Sequence, residues 1–148
     1  MADKIRQMAQ ISEVGGAMTV PTHNSKKKAA SGIAQPTVKY HVLQSVANTY
    51  ELDSRQKEAL FGIPVRTQAR YKKDDSVLSP LIVDRLERFN RITKQAIDLF
   101  EDEEETKRWL STPKASLDNK TPLEALTTDA GAKQVEQILY RAEYGVYG

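Results

Sequence analysis

From residue 36 onward, apolar residues recur along the chain at intervals of three and four rather than two. That spacing marks one face of an α-helix, and no strand-like alternation competes with it, so the chain reads as all-α. Pro36 suits the first turn of a helix. Val38, Val42, Leu43, Val46 and Ala47 follow at helical spacing and predict a helix over 36–49. Asp53 and Gln56 stand in capping-box register ahead of a short second helix, whose buried face would be Ala59, Leu60 and Phe61. Gly62 stops it, Ile63-Pro64 turns the chain, and a third helix runs from Val65 to about Lys72. Two short helices joined by a glycine-bearing turn have the layout of a helix-turn-helix.

The polar break Lys73–Ser76 separates this unit from a long helix that Ser79 caps, Pro80 opens and Phe100 closes. Its stripe is Ile82, Leu86, Phe89, Ala96 and Phe100. Asp102 and Glu105 form a second capping-box pattern before a helix anchored by Trp109 and Leu110, with Glu103–Glu105 complementing its positive end. Residues 111–120 read as loop. Thr121-Pro122-Leu123-Glu124 is a full box with proline at the first position. Thr128 or Asp129 then starts a last helix carrying Val135, Ile138, Leu139 and Ala142, which Gly145 ends.

Composition adds an organisation to this series. Residues 1–35, with Gly15-Gly16, Pro21, Lys26–Lys28 and Ser31-Gly32, cannot bury enough apolar area to offset chain entropy and are expected to be a flexible arm. The expected division is therefore an arm at 1–35, a helix-turn-helix module at 36–79 and a second helical domain at 80–148. Residues 1–80 hold 12 Lys/Arg against 7 Asp/Glu, whereas 81–148 hold 10 against 13. A basic front half suits a polyanion, and an acidic rear half suits a different partner. The absence of cysteine excludes disulfides and zinc–thiolate sites and fits a reducing cytoplasm. No apolar run approaches the roughly 20 residues that span a bilayer, and Met1–Met18 lack the apolar core of a signal peptide, so a cytoplasmic protein without membrane contact is expected.

Two regions carry candidate chemistry. On the third helix Arg66, Arg70 and Lys73 fall within about 60° of arc at about 100° per residue, with Val65 and Ala69 expected to face the second helix. Arginines can pair bidentately with guanine, and Thr67 or Gln68 could contact bases or phosphates. Lys26–Lys28 could track phosphates, or be merely a soluble tail. At the other end, Arg141, Glu143, Tyr144, Tyr147 and Gly148 lie at or beyond the end of the last helix. Its two tyrosines on glycine joints and its terminal carboxylate are an unusual composition for a frayed end, and tyrosines are frequent interface anchors. His23 and His41 have no metal-ligand spacing. No nucleophile elbow, phosphate-cradling glycine loop or zinc-protease motif is present, so neither catalysis nor a cofactor is expected.

The order Leu99-Phe100, Asp102-Glu103-Glu104, Arg108-Trp109-Leu110, Thr121-Pro122-Leu123 and the closing helix YRAEYGVYG resembles the toxin-binding domain of Xre–MbcA–ParS-type antitoxins. Leu60-Phe61-Gly62-Ile63 followed by Arg66-Thr67 looks like the corresponding turn of that family. Gln68 departs from it, standing where an apolar residue usually packs inward, as does Pro64, where serine is frequent. The resemblance implies a type II antitoxin whose partner is a RES-domain toxin that consumes NAD, whose tail blocks that toxin's cleft, and whose helix-turn-helix binds operator DNA as a homodimer. The residues also allow two other readings. One is a stand-alone DNA-binding regulator whose rear half only dimerises. The other is a purely protein-binding antitoxin that has lost DNA.

Overall fold

The computed structural model describes residues 37–145, which form an all-α structure with only two isolated β-bridges. The arm expected over 1–35, including His23 and Lys26–Lys28, and the tail residues Tyr147 and Gly148 lie outside the described residues. The helices are α1 (Tyr40–Thr49), α2 (Ser54–Phe61), α3 (Val65–Asp74), α4 (Pro80–Phe100), α5 (Glu103–Leu110), α6 (Pro122–Ala125) and α7 (Asp129–Glu143). A single 3-10 turn, Ala115–Leu117, interrupts the segment read as loop between α5 and α6.

Most boundaries follow from caps legible in the sequence. Asp53 and Gln56 close a reciprocal box at the start of α2, and Thr121 and Glu124 do the same for α6. Ser79 with Pro80 opens α4, and Thr128 caps α7. At α5 the expected box is half made: Asp102 accepts from the backbone of Glu104 and Glu105, but Glu105 turns to Arg108 instead.

The first helix begins later than its proline suggests. Thr37–Lys39 are not helical, because Lys39 bridges Val77, Tyr40 N donates to the Ser76 carbonyl and Leu78 N donates to the Val38 carbonyl. This two-rung pairing with the segment after α3 takes the backbone groups that a helix from residue 36 would need. Lys39 provides no side-chain cap for α1, and Asp75 supplies one from across the fold by accepting from His41 N.

Helix α4 is the spine. Phe89 lies edge-on to both Tyr50 and Phe61, binding α4 to the α1–α2 unit, while α7 and α5 pack along the rest of its length. Leu43, Phe61, Leu86, Ile92, Leu110, Val135 and Leu139 are all fully or almost fully buried in one continuous core. Polar contacts reinforce the joints. Arg88, itself mostly buried, pairs with Asp129 and donates to the Leu126 carbonyl, and Arg91 reaches Glu136 at 3.2 Å. Lys107 bridges Glu104 on its own helix and Glu51 beyond the end of α1. Gly131 marks the closest approach in this half, since a Cβ there would strike the Ala125 carbonyl.

Candidate functional site

Two surfaces answer to the residues singled out in the sequence, one on α2–α3 and one on α7.

Gly62 ends α2 in the left-handed region at φ 86°, where glycine carries no steric penalty, and Pro64 leads directly into α3. The turn is closed by Gln68. Its side-chain nitrogen donates to the carbonyls of Ser54 and Ile63, each at 2.9 Å, and the residue is 5% exposed. Gln68 is thus removed from the set of expected DNA contacts. It occupies the inward position where the family pattern places an apolar residue, and its amide joins the start of α2 to the turn. Val65 and Ala69, expected to pack inward, are exposed instead. The inward positions of α3 are Gln68 and the partly buried Tyr71, whose ring meets that of Tyr40 edge-on.

Arg66, Arg70 and Lys73 are exposed as expected, with Thr67 half-buried and its hydroxyl donating to the Pro64 carbonyl. The Arg70 guanidinium lies 5.7 Å from the ring centre of Tyr71. Among the described residues no ion pair is formed by Arg55, Arg66, Arg70, Lys72 or Lys73. In the rear half Arg88, Arg91, Lys94, Lys107 and Arg108 have carboxylate partners, whereas Arg85, Lys114, Lys120, Lys133 and Arg141 form no ion pair among the described residues. Of the unpaired cations, Arg66, Arg70 and Lys73 share one face of α3 and are available to an external polyanion.

The second surface is the outward side of α7 at its C-terminal end. Tyr140 and Tyr144 are 54% and 62% exposed, and their rings stack at 4.6 Å between centres with a 43° tilt. Arg141 and Glu143 are exposed on either side. Val135 and Leu139 bury the opposite face, so no internal packing role is left for the tyrosine pair. Tyr140 was not singled out in the sequence, although its position four residues before Tyr144 places the two on one helical face. Trp109 is a corner piece rather than a surface feature. It is partly buried against Phe100, and the Lys114 ammonium lies 5.2 Å from its ring centre, in a setting whose desolvation lowers that lysine's pKa.

Among the described residues no cluster of His, Asp and Glu could hold a metal ion, and no helix is long and apolar enough to cross a membrane.

Residues 95–145, from the last third of α4 through α7, match the family described as the antitoxin Xre/MbcA/ParS C-terminal toxin-binding domain. The chain is also similar to curated Xre antitoxins over somewhat more than half of its length. It is 36% identical over 87 residues to an antitoxin Xre of Yersinia enterocolitica, covering 58% of this chain and 59% of that protein. An antitoxin Xre of Pseudomonas putida is 40% identical over 90 residues, covering 58% and 54%, and one of Photorhabdus laumondii is 30% identical over 86 residues, covering 57% and 58%. The chain thus spans somewhat more than half the length of the curated relatives it matches.

Proposed function

We propose that this chain is the antitoxin of a toxin–antitoxin pair and that it works through two separate surfaces. The outward end of α7, with Tyr140, Arg141, Glu143 and Tyr144, grips a toxin protein. The observation that carries this reading is the exposed, stacked Tyr140–Tyr144 pair inside the segment that matches a toxin-binding domain. Aromatic residues with an apolar body and a polar tip anchor interfaces, and two held in register by one helix lose little further freedom on binding. The toxin is of the RES-domain class and consumes NAD. The residues after α7, including Tyr147 and Gly148, cover its nucleotide cleft and exclude the substrate.

The α2–α3 unit is a helix-turn-helix that binds the operator of its own operon, with α3 as the recognition helix and Arg66, Thr67, Arg70 and Lys73 in contact with bases and phosphates. The unpaired cations support this, as does the turn closed by Gln68, which keeps the packing between the two helices despite its polar residue. Two copies bind a palindromic site with matching two-fold symmetry, so the chain acts as a homodimer. A regulator without a toxin partner would share the basic face of α3. The α7 tyrosines distinguish it, having no role there.

Co-expression with the toxin encoded beside it tests the proposal. The full chain restores growth and inhibits NAD consumption, and a chain lacking residues 144–148 stays folded and does neither; full protection by the truncated chain would refute the cleft-covering role. Arg66→Ala with Arg70→Ala lowers promoter affinity and flattens its salt dependence, while neutralisation is kept. Unchanged promoter binding by that double variant would reject α3 as the reading element.

A further inference from the structure

The outward face of α3 is not uniformly basic. Val65, 42% exposed, and Ala69, one turn later, interrupt the row of cations: Ala69 lies four residues before Lys73, three after Arg66 and beside Arg70. A lone exposed valine is ordinary on a protein surface. This one opens the helix whose unpaired cations make it the strongest polyanion-facing surface among the described residues, and it shares that face with the smallest side chain that still has a methyl. Neither residue serves the fold, because Gln68 and Tyr71 take the inward positions.

In the major groove of duplex DNA, apolar side chains meet the 5-methyl group of thymine, and arginine meets guanine. Ala69 lets the helix come close to the base edges at its midpoint. Val65 reaches out at the end of the helix that enters the groove first. We infer that Val65 and Ala69 are sequence-reading residues that contact thymine methyls, set among guanines contacted by Arg66 and Arg70. The inference rests on the proposed role of α3 as a recognition helix. Four residues of helix advance about 6 Å. For a helix lying along the groove, that spans roughly two base-pair steps of about 3.4 Å. The half-site therefore carries two methyl-dependent thymines about two steps apart, with guanine adjacent.

The test selects duplexes from a randomised DNA library with the full chain, then resynthesises the enriched duplexes with deoxyuridine at one thymine at a time. This change deletes the 5-methyl group and no hydrogen-bonding atom. The expected result is a loss of about fourfold at each of two positions per half-site, the ratio for one methyl removed from contact at about 0.8 kcal/mol. In Val65→Ser, checked by its melting temperature to be folded, one of those positions becomes insensitive to the swap. Enriched duplexes with no methyl-sensitive thymine overturn the inference and leave α3 as a DNA-binding helix. So does sensitivity that is the same in Val65→Ser and Ala69→Ser as in the parent, which assigns the methyl effect to DNA shape. If no duplex is enriched at all, the DNA-binding reading fails and the inference fails with it.

Discussion

Asp75, at the end of α3, accepts a 2.9 Å hydrogen bond from the backbone nitrogen of His41 and lies 2.9 Å from the same residue's ring Nδ1. The first helix of the bundle is thus capped by the residue that ends the third. The backbone bond, joined by the His41 ring and Lys39, holds the Asp75 carboxyl below its ordinary pKa.

A carboxylate whose pKa is depressed by folding adds stability above its unfolded pKa and loses it as pH falls through the folded value. Asp75 has φ 46°, a conformation asparagine tolerates, so Asp75→Asn removes the charge without straining the turn. Urea melts are expected to show the variant less stable than the parent at neutral pH. The gap should close as pH falls through and below the usual carboxylate range. A gap that stays constant down to the most acidic measurement would mean that the charge has no part in the cap.

Gln68→Leu should destabilise the fold by about 1–3 kcal/mol, since the buried Ile63 carbonyl loses a donor. Gln68→Glu should cost more, because it sets a carboxylate against two carbonyl oxygens. Denaturant unfolding of the three proteins checks the order. A more stable Gln68→Leu would show that the turn needs only an apolar filler there.

Gly131→Ala gives a test in which the usual sign reverses. On propensity alone, alanine is preferred over glycine in a helix by about 1 kcal/mol. Against the Ala125 carbonyl the added methyl forces α6 and α7 apart, with an expected loss of about 1–3 kcal/mol and a lower melting temperature. A raised melting temperature would contradict the close approach.

Tyr140→Ser together with Tyr144→Ser should leave denaturant stability within about 0.5 kcal/mol of the parent, as is usual for surface changes. Co-purification of the partner toxin should be lost. Retention of the toxin by the double variant would exclude this face from the interface.

The frame of the fold was legible in the sequence because its caps are local. Asp53–Gln56, Ser79–Pro80, Thr121–Glu124 and Thr128 fix helix starts from residues three or four apart, and the structure keeps every one. The start of α1 was not, since it depends on backbone pairing with residues 76–78, remote in the sequence. The orientation of α3 is not legible for a different reason. In VRTQARYKKD the only apolar side chains are Val65, Ala69 and Tyr71, too few to define a face, and two carbonyls waiting for a donor drew Gln68 inward ahead of valine and alanine. Ala59 likewise turned out exposed, leaving Leu60 and Phe61 with the aliphatic part of Lys57 to line α2. On α7 the apolar periodicity of Val135, Ile138 and Leu139 is plain, whereas Tyr140 has no sequence signal beyond its spacing of four from Tyr144.

The unbroken interior around Leu86 and Phe89 has a bearing on turnover in the cell. Because α4 closes the packing of α1–α3 and of α7 together, a protease that cuts this one rod opens the core on both sides. Loss of this helix is then expected to unfold both halves together rather than to release one intact piece.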